Sequence, residues 1–139
     1  MLLDEITNYL AGAGLGLTVG TNLWMLPVPE TADQSIIQTM VLEYGGRPPL
    51  RAMGPSLGDP VAETPRFNVG VIGQYEQFQD ARQLAEDVYQ ALDNLANTTL
   101  GATRYLLVRA LQPPIYLAPD DEDNEHHFSI NFEAVKERS

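Results

Sequence analysis

Cysteine is absent from the 139 residues, which removes disulfide frameworks, thiolate zinc sites and cysteine nucleophiles together and leaves a reducing compartment compatible with the chain. Lysine occurs once, at Lys136, and the seven arginines are scattered without forming a run. Binding to a phosphate backbone is therefore not expected as the main activity. No apolar run approaches the roughly 18 residues of a membrane helix. Asp4 and Glu5 stand where a signal peptide needs cations. The expectation is a soluble protein made where it is used, with no membrane partner.

Acid is what the chain has in excess. Nineteen acidic side chains against eight basic ones give a net charge of −11. It is spread evenly: −4 over residues 1–60, −4 over 61–100 and −3 over 101–139. A molecule negative all over stays soluble and repels nucleic acid, yet a mixed patch can still dock on a basic protein partner. With 44% apolar residues the chain fits one domain over 1–139, large enough to hold together without a disulfide or metal staple.

Two helices are legible. Leu2, Leu3, Ile6, Tyr9, Leu10 and Ala13 recur three and four apart, with the acids in the first turn and Gly12, Gly14 and Gly16 as the stop. Phe78, Ala81, Leu84, Ala85, Val88, Tyr89, Leu92 and Leu95 form a longer stripe, ended by Asn94 and Asn97. Strand signals cover 22–26, 35–44, 66–72, 103–111 and 127–135. The last alternates, Phe128, Ile130 and Phe132 against Ser129, Asn131 and Glu133, as a strand with one wet face does. The strand containing Tyr105 to Val108 is apolar on both faces and ends at Pro113 and Pro114, which offer no ladder donor. It can pair with the last strand as a hairpin. The fold class expected is α+β: a mostly antiparallel sheet of about four to five strands, with one short N-terminal helix and one long helix packed on one face.

One segment is out of proportion. GGRPPLRAMGPSLGDPVAETP, residues 45–65, holds five prolines and four glycines in 21 residues. This reads as a long loop rather than helix or core strand. Arg47 and Arg51 stand out in an acidic protein, and Leu50, Met53, Leu57 and Val61 are apolar side chains that such an arm could bury against a partner.

Candidate chemistry is sparse. DDEDNEHH, Asp120 to His127, offers five carboxylates and two imidazoles, but lacks the glycine and flanking helices of a calcium loop. His126 and His127 are consecutive, so in a strand they point to opposite faces and cannot chelate one ion together. The segment reads as a solvated hairpin tip, and no metal is expected. Ser35, Ser56, Ser129 and Ser139 have no G-x-S-x-G context, and no nucleophile, base and orienting group can be assembled from the sequence. The glycines of GAGLGLTVG close a helix rather than open one, the reverse of a phosphate loop. No cofactor and no enzymatic activity are expected.

LLDEITNYLAGAGLG, VLEYGGRPP, ARQLAEDVYQALDNL, TLGATRYLLVRALQPP and FSINFEAVKE together resemble the tail terminator proteins, minor capsid proteins of long-tailed bacteriophages. The resemblance covers nearly the whole chain and is most specific over Leu42 to Pro49 and Leu100 to Pro114. It implies a small α+β protein that assembles with itself as a hexameric ring. Such a ring caps the finished tail tube, stops its polymerisation and offers a surface to the head connector, while DNA passes without specific binding. It further implies a place in the virion at the head and tail junction, and in the host cytoplasm during assembly. The contact regions of that family correspond to Tyr44 to Arg51 and to the stretch from Pro113 to His127. The expected interaction residues are Tyr44, Arg47, Pro48, Pro49, Leu50, Arg51, Met53, Leu57, Pro113 and Pro114.

Two other readings compete with this one. A monomeric adaptor would bind one protein partner through the 45–65 loop. A metal-dependent module would be built on Asp120 to His127.

Overall fold

The computed structural model describes residues 2–33, 35–51, 60–117 and 125–137. Helix α1 (Leu2–Ala11) buries Leu2, Ile6 and Leu10, the positions its periodicity marks. It stops where the Gly12 N–H bonds the Asn8 carbonyl at 3.1 Å, and Gly14 and Gly16 follow with φ of 77° and 75°, values that need a residue without a Cβ. Helix α2 (Phe78–Leu92) follows a 3-10 turn at Tyr75–Gln77 and buries Ala81, Ala85, Val88 and Leu92. It ends before the expected Leu95. Asp93 leaves the helix extended, Asn94 takes φ 62°, and the Asp93 carboxylate accepts the Ala110 N–H at 2.9 Å. The helix end is thereby tied to a strand.

Among the described residues seven strands form one sheet: β1 (Leu23–Trp24), β2 (Gln38–Arg51), β3 (Pro60–Gln74), β4 (Leu95–Leu100), β5 (Thr103–Ala110), β6 (Ile115–Leu117) and β7 (Glu125–Glu137). The order is β1-β2-β3-β7-β5-β4, with β6 also on β7. This corrects the expected four to five strands. The sheet is also mixed, because β1 runs parallel to β2 while the other pairs are antiparallel. The period misses β4 because Leu95 continues the helix stripe, and misses β6 because three residues after Pro113 and Pro114 give no alternation to read. The hairpin expected between the last two strong strands is present, with Val108 opposite Ala134 and Ala110 opposite Phe132.

The larger correction concerns residues 45–65. They are for the most part strand: Tyr44 pairs with Arg66, Arg47 with Thr64, Leu50 with Ala62 and Arg51 with Pro60. Proline is accommodated because the register shifts between Tyr44 and Arg47 and again between Arg47 and Leu50. Pro48, Pro49 and Pro65 fall in those gaps, where no ladder donor is required. Residues 52–59 lie outside the described residues.

Along β7 the alternation holds. Phe128, Ile130, Phe132 and Ala134 are buried on the helix side, with Phe67 and Phe132 stacked at 5.1 Å between ring centres. The stripe of α2 packs on β3 and β7. Each such aliphatic or aromatic side chain contributes about 1.5–3 kcal/mol when fully buried. Helix α1 touches both β2 and β4, which are far apart in strand order, so the sheet curls around it.

Inside that curl the Tyr105 hydroxyl, fully buried, donates to the Glu5 carboxylate at 2.9 Å. Burial first, then the bond to Glu5 and its charge, push this phenol far above its ordinary value of 10.0. A raised phenol keeps its proton where the unfolded one loses it. Its contribution is therefore fully present below about pH 10 and falls as pH climbs further, by up to about 1.4 kcal/mol per pH unit. Denaturant unfolding at rising alkaline pH should show this slope, and Tyr105→Phe should flatten it. An equal slope in the variant would contradict the assignment.

Candidate assembly surfaces

On the sheet face away from the helices, Glu133 lies between two arginines brought in by neighbouring strands. It accepts from Arg66 Nε at 3.1 Å and from Arg109 at 2.9 Å. Glu133 was expected on a wet face, yet it is 2% exposed, because the two guanidinium groups cover it while staying part-exposed themselves. Beside it, Asn68 donates to Ser129 at 2.6 Å and to Asn131 at 2.9 Å, crossing from β3 to β7. Tyr44, opposite Arg66 in register, is exposed at the rim. Burial raises its phenol pKa, Arg66 opposes this and Glu133 adds to it.

On the helix side, Pro113 and Pro114 line a groove of about 370 Å³ with Phe78, Arg82, Glu86, Tyr116 and Phe128. The prolines sit in a break between two pieces of one edge: β5 ends opposite Phe132, and β6 resumes with Ile115 opposite Ser129. The Tyr116 hydroxyl lies 2.7 Å from His126 Nδ1, and His126 Nε2 lies 2.9 Å from the Tyr75 carbonyl oxygen. The neutral tautomer with its proton on Nε2 satisfies both contacts. Phe78 meets the edges of Tyr116 and His126 at 5.5 and 4.9 Å, so β6, β7 and the start of α2 are clamped by rings.

The expected interaction residues thus fall in two places. Tyr44 and the backbone of Arg47, Pro48, Pro49, Leu50 and Arg51 belong to β2, whereas Pro113 and Pro114 line the groove by α2. Met53 and Leu57 lie outside the described residues, as do Asp120 to Asp123. The two histidines do point to opposite faces, but from within β7 rather than from a loop edge. His126 is buried among the rings, and His127 approaches Glu125 at 3.2 Å. Among the described residues, no group of three or more metal-ligating side chains could hold an ion. No helix there is long and apolar enough to cross a membrane.

Sequence reasoning missed the Arg66, Glu133 and Arg109 cluster and the ring cluster around His126. Only the alternation in β7 carried a trace of the first, since it set Glu133 on the polar side. Pairing partners 67 residues apart leave no local signal.

A family model described as bacteriophage tail terminator protein matches residues 9–138. No curated protein matches the sequence at a significant level. Among solved structures, a chain from the virion of a native gene transfer agent particle superposes with a TM-score of 0.65 at 19% identity, over 99% of this chain and 95% of that one. A second solved chain gives 0.60 at 14% identity, over 98% and 90%. Both likenesses are likenesses of fold.

Proposed function

Since this chain belongs to the bacteriophage tail terminator family, whose members are structural virion proteins and not enzymes, we propose that it closes into a homohexameric ring capping the tail tube. The ring ends polymerisation of the tail tube protein and presents its other face to the head connector. The observation that carries this reading is the family match across nearly the whole chain. The β2 and β3 arm, with Tyr44, Arg47, Pro48, Pro49, Leu50 and Arg51 and with Met53 and Leu57 beyond it, supplies the contacts to ring and tube. Pro113 and Pro114 supply a second set. A net charge of −11 suits a passage through which DNA slides without sticking. The protein is a virion component, assembled in the host cytoplasm.

Light scattering across a wide concentration range, followed by electron microscopy with and without purified tail tubes, tests the reading. Rings, or caps on tube ends, are expected. A strict monomer that ignores tubes would overturn the ring and favour the adaptor that binds one partner through residues 45–65.

A further inference from the structure

A second groove, of about 380 Å³, runs along the side of α2 turned away from Pro113 and carries charge of one sign. Its floor is apolar, with Leu15, Ile36, Ile37 and Leu84 part-exposed in it. Asp80 and Asp87 stand on its α2 wall, seven residues and so about 10.5 Å apart on one helix face. Arg82 is about 200° round the helix from Asp80 and lines the Pro113 groove instead. Among the described residues neither aspartate forms an ion pair, and Asp87 accepts from the uncharged Gln83 at 2.9 Å.

The other walls are tied down. Asn22 donates to the Gly16 carbonyl at 3.0 Å and accepts the Thr18 N–H at 2.6 Å, while Gln77 donates to the Ser35 carbonyl at 2.8 Å, next to Ile36. A groove held in this way has little order left to gain when it is filled.

An apolar floor flanked by two carboxylates without counter-ions matches a segment that carries an apolar side chain between two cations. Within this chain Arg66 and Arg109 already meet Glu133, Arg104 meets Glu137 and Lys136 meets Glu63. The β2 arm offers the required pattern: from Gly45 to Gly58 the sequence holds Arg47 and Arg51, with Leu50 between them and no acid. Four residues of strand set the two arginine positions about 13 Å apart, close to the spacing of the aspartates.

The arm cannot enter its own groove. Ile37 adjoins the start of β2 at Gln38, whereas Arg47 and Arg51 lie about 30 and 43 Å further along the same strand. The matching occupant is therefore a second copy of the chain.

We propose that the Arg47 to Arg51 arm of one copy lies in the Asp80 and Asp87 groove of the next, with Leu50 on the apolar floor. The two halves differ, so the contact is heterologous and propagates in one direction, as a ring requires. The inference rests on the ring reading and supplies the surface that receives the arm.

A charge exchange tests it, read by light scattering and by electron microscopy with and without purified tail tubes. Arg47→Glu with Arg51→Glu reverses the arm, and Asp80→Arg with Asp87→Arg reverses the groove. Thermal melts identify variants that fold; should the double arm variant fail there, Arg51→Glu, at the end of β2, stands in for it. Each variant by itself should lose rings and caps, because like charges then face each other in every contact. An equal mixture of the two should regain them, since reversed arm fits reversed groove and native arm fits native groove, alternating round an even-numbered ring. Rings from either variant alone, or a mixture as inactive as its parts, overturn this interface, and native rings then leave the ring reading standing. A reversed arm that still forms rings in solution and fails only on tubes places the arm on the tube protein, which also overturns the proposal. Native protein that gives neither rings nor caps overturns both.

Discussion

Val88→Asp is expected to unfold the protein at room temperature. Val88 is fully buried on the α2 stripe that packs on β3 and β7, and the carboxylate would enter a cluster of apolar side chains. Burying an unpaired charge belongs to the class of changes that exceed about 4–5 kcal/mol. Total stability of a domain is about 5–15 kcal/mol, so a loss beyond about 4–5 kcal/mol removes from a third to all of it. Far-UV circular dichroism and a thermal melt would register the loss. Val88→Ala serves as control and should lower stability by about 2 kcal/mol through the cavity it leaves. A native-like melt for Val88→Asp would mean that the α2 stripe does not face the core.

Replacing residues 52–59 by a two-residue Asn-Gly turn is expected to have the opposite profile. The fold should survive, because Arg51 already pairs with Pro60 and shortening a connection changes closure entropy by about 1 kcal/mol or less. Capping of tail tubes should be lost, since the replacement removes Met53 and Leu57 from the arm that we propose makes the contact. A wider deletion from Pro48 to Val61 would cut into paired strands and mix the two effects. Unchanged melting with no caps on tube ends is the expected result. Full capping would remove Met53 and Leu57 from the contact and leave Tyr44 to Arg51 and the two prolines to account for it.

How much of this the sequence disclosed follows from how local each signal is. The α1 and α2 stripes are written in residues three and four apart, and the buried apolar positions of both helices fall on them, while Glu5 and Thr7 are buried outside the α1 stripe. The β7 alternation was equally plain and put Phe128, Ile130 and Phe132 on the core side. Residues 45–65 were misread because proline and glycine argue against a strand only when every residue must pair. Register shifts let Pro48, Pro49 and Pro65 sit in gaps of the ladder, and a shift is a property of two strands, invisible in one. The parallel β1 and β2 pair was hidden for the same reason, being only two residues long. Glu133 could be assigned to the polar face but not to its arginines, which arrive from β3 and β5.

The place of β7 has a consequence for the order in which the chain can fold. β1, β2 and β3 pair among themselves, as do β4 and β5, but among the described residues every strand pairing that joins the two groups, and the only strand paired with β6, is β7. It is the last strand in chain order, so during synthesis the two half-sheets must wait, edges open, until residues 125–137 have left the ribosome. Such late, long-range closure belongs to the slower, millisecond-to-second class of folding and exposes unpaired strands to other nascent chains in the meantime. The net charge of −11, spread along the whole sequence, opposes contact between copies in that half-made state.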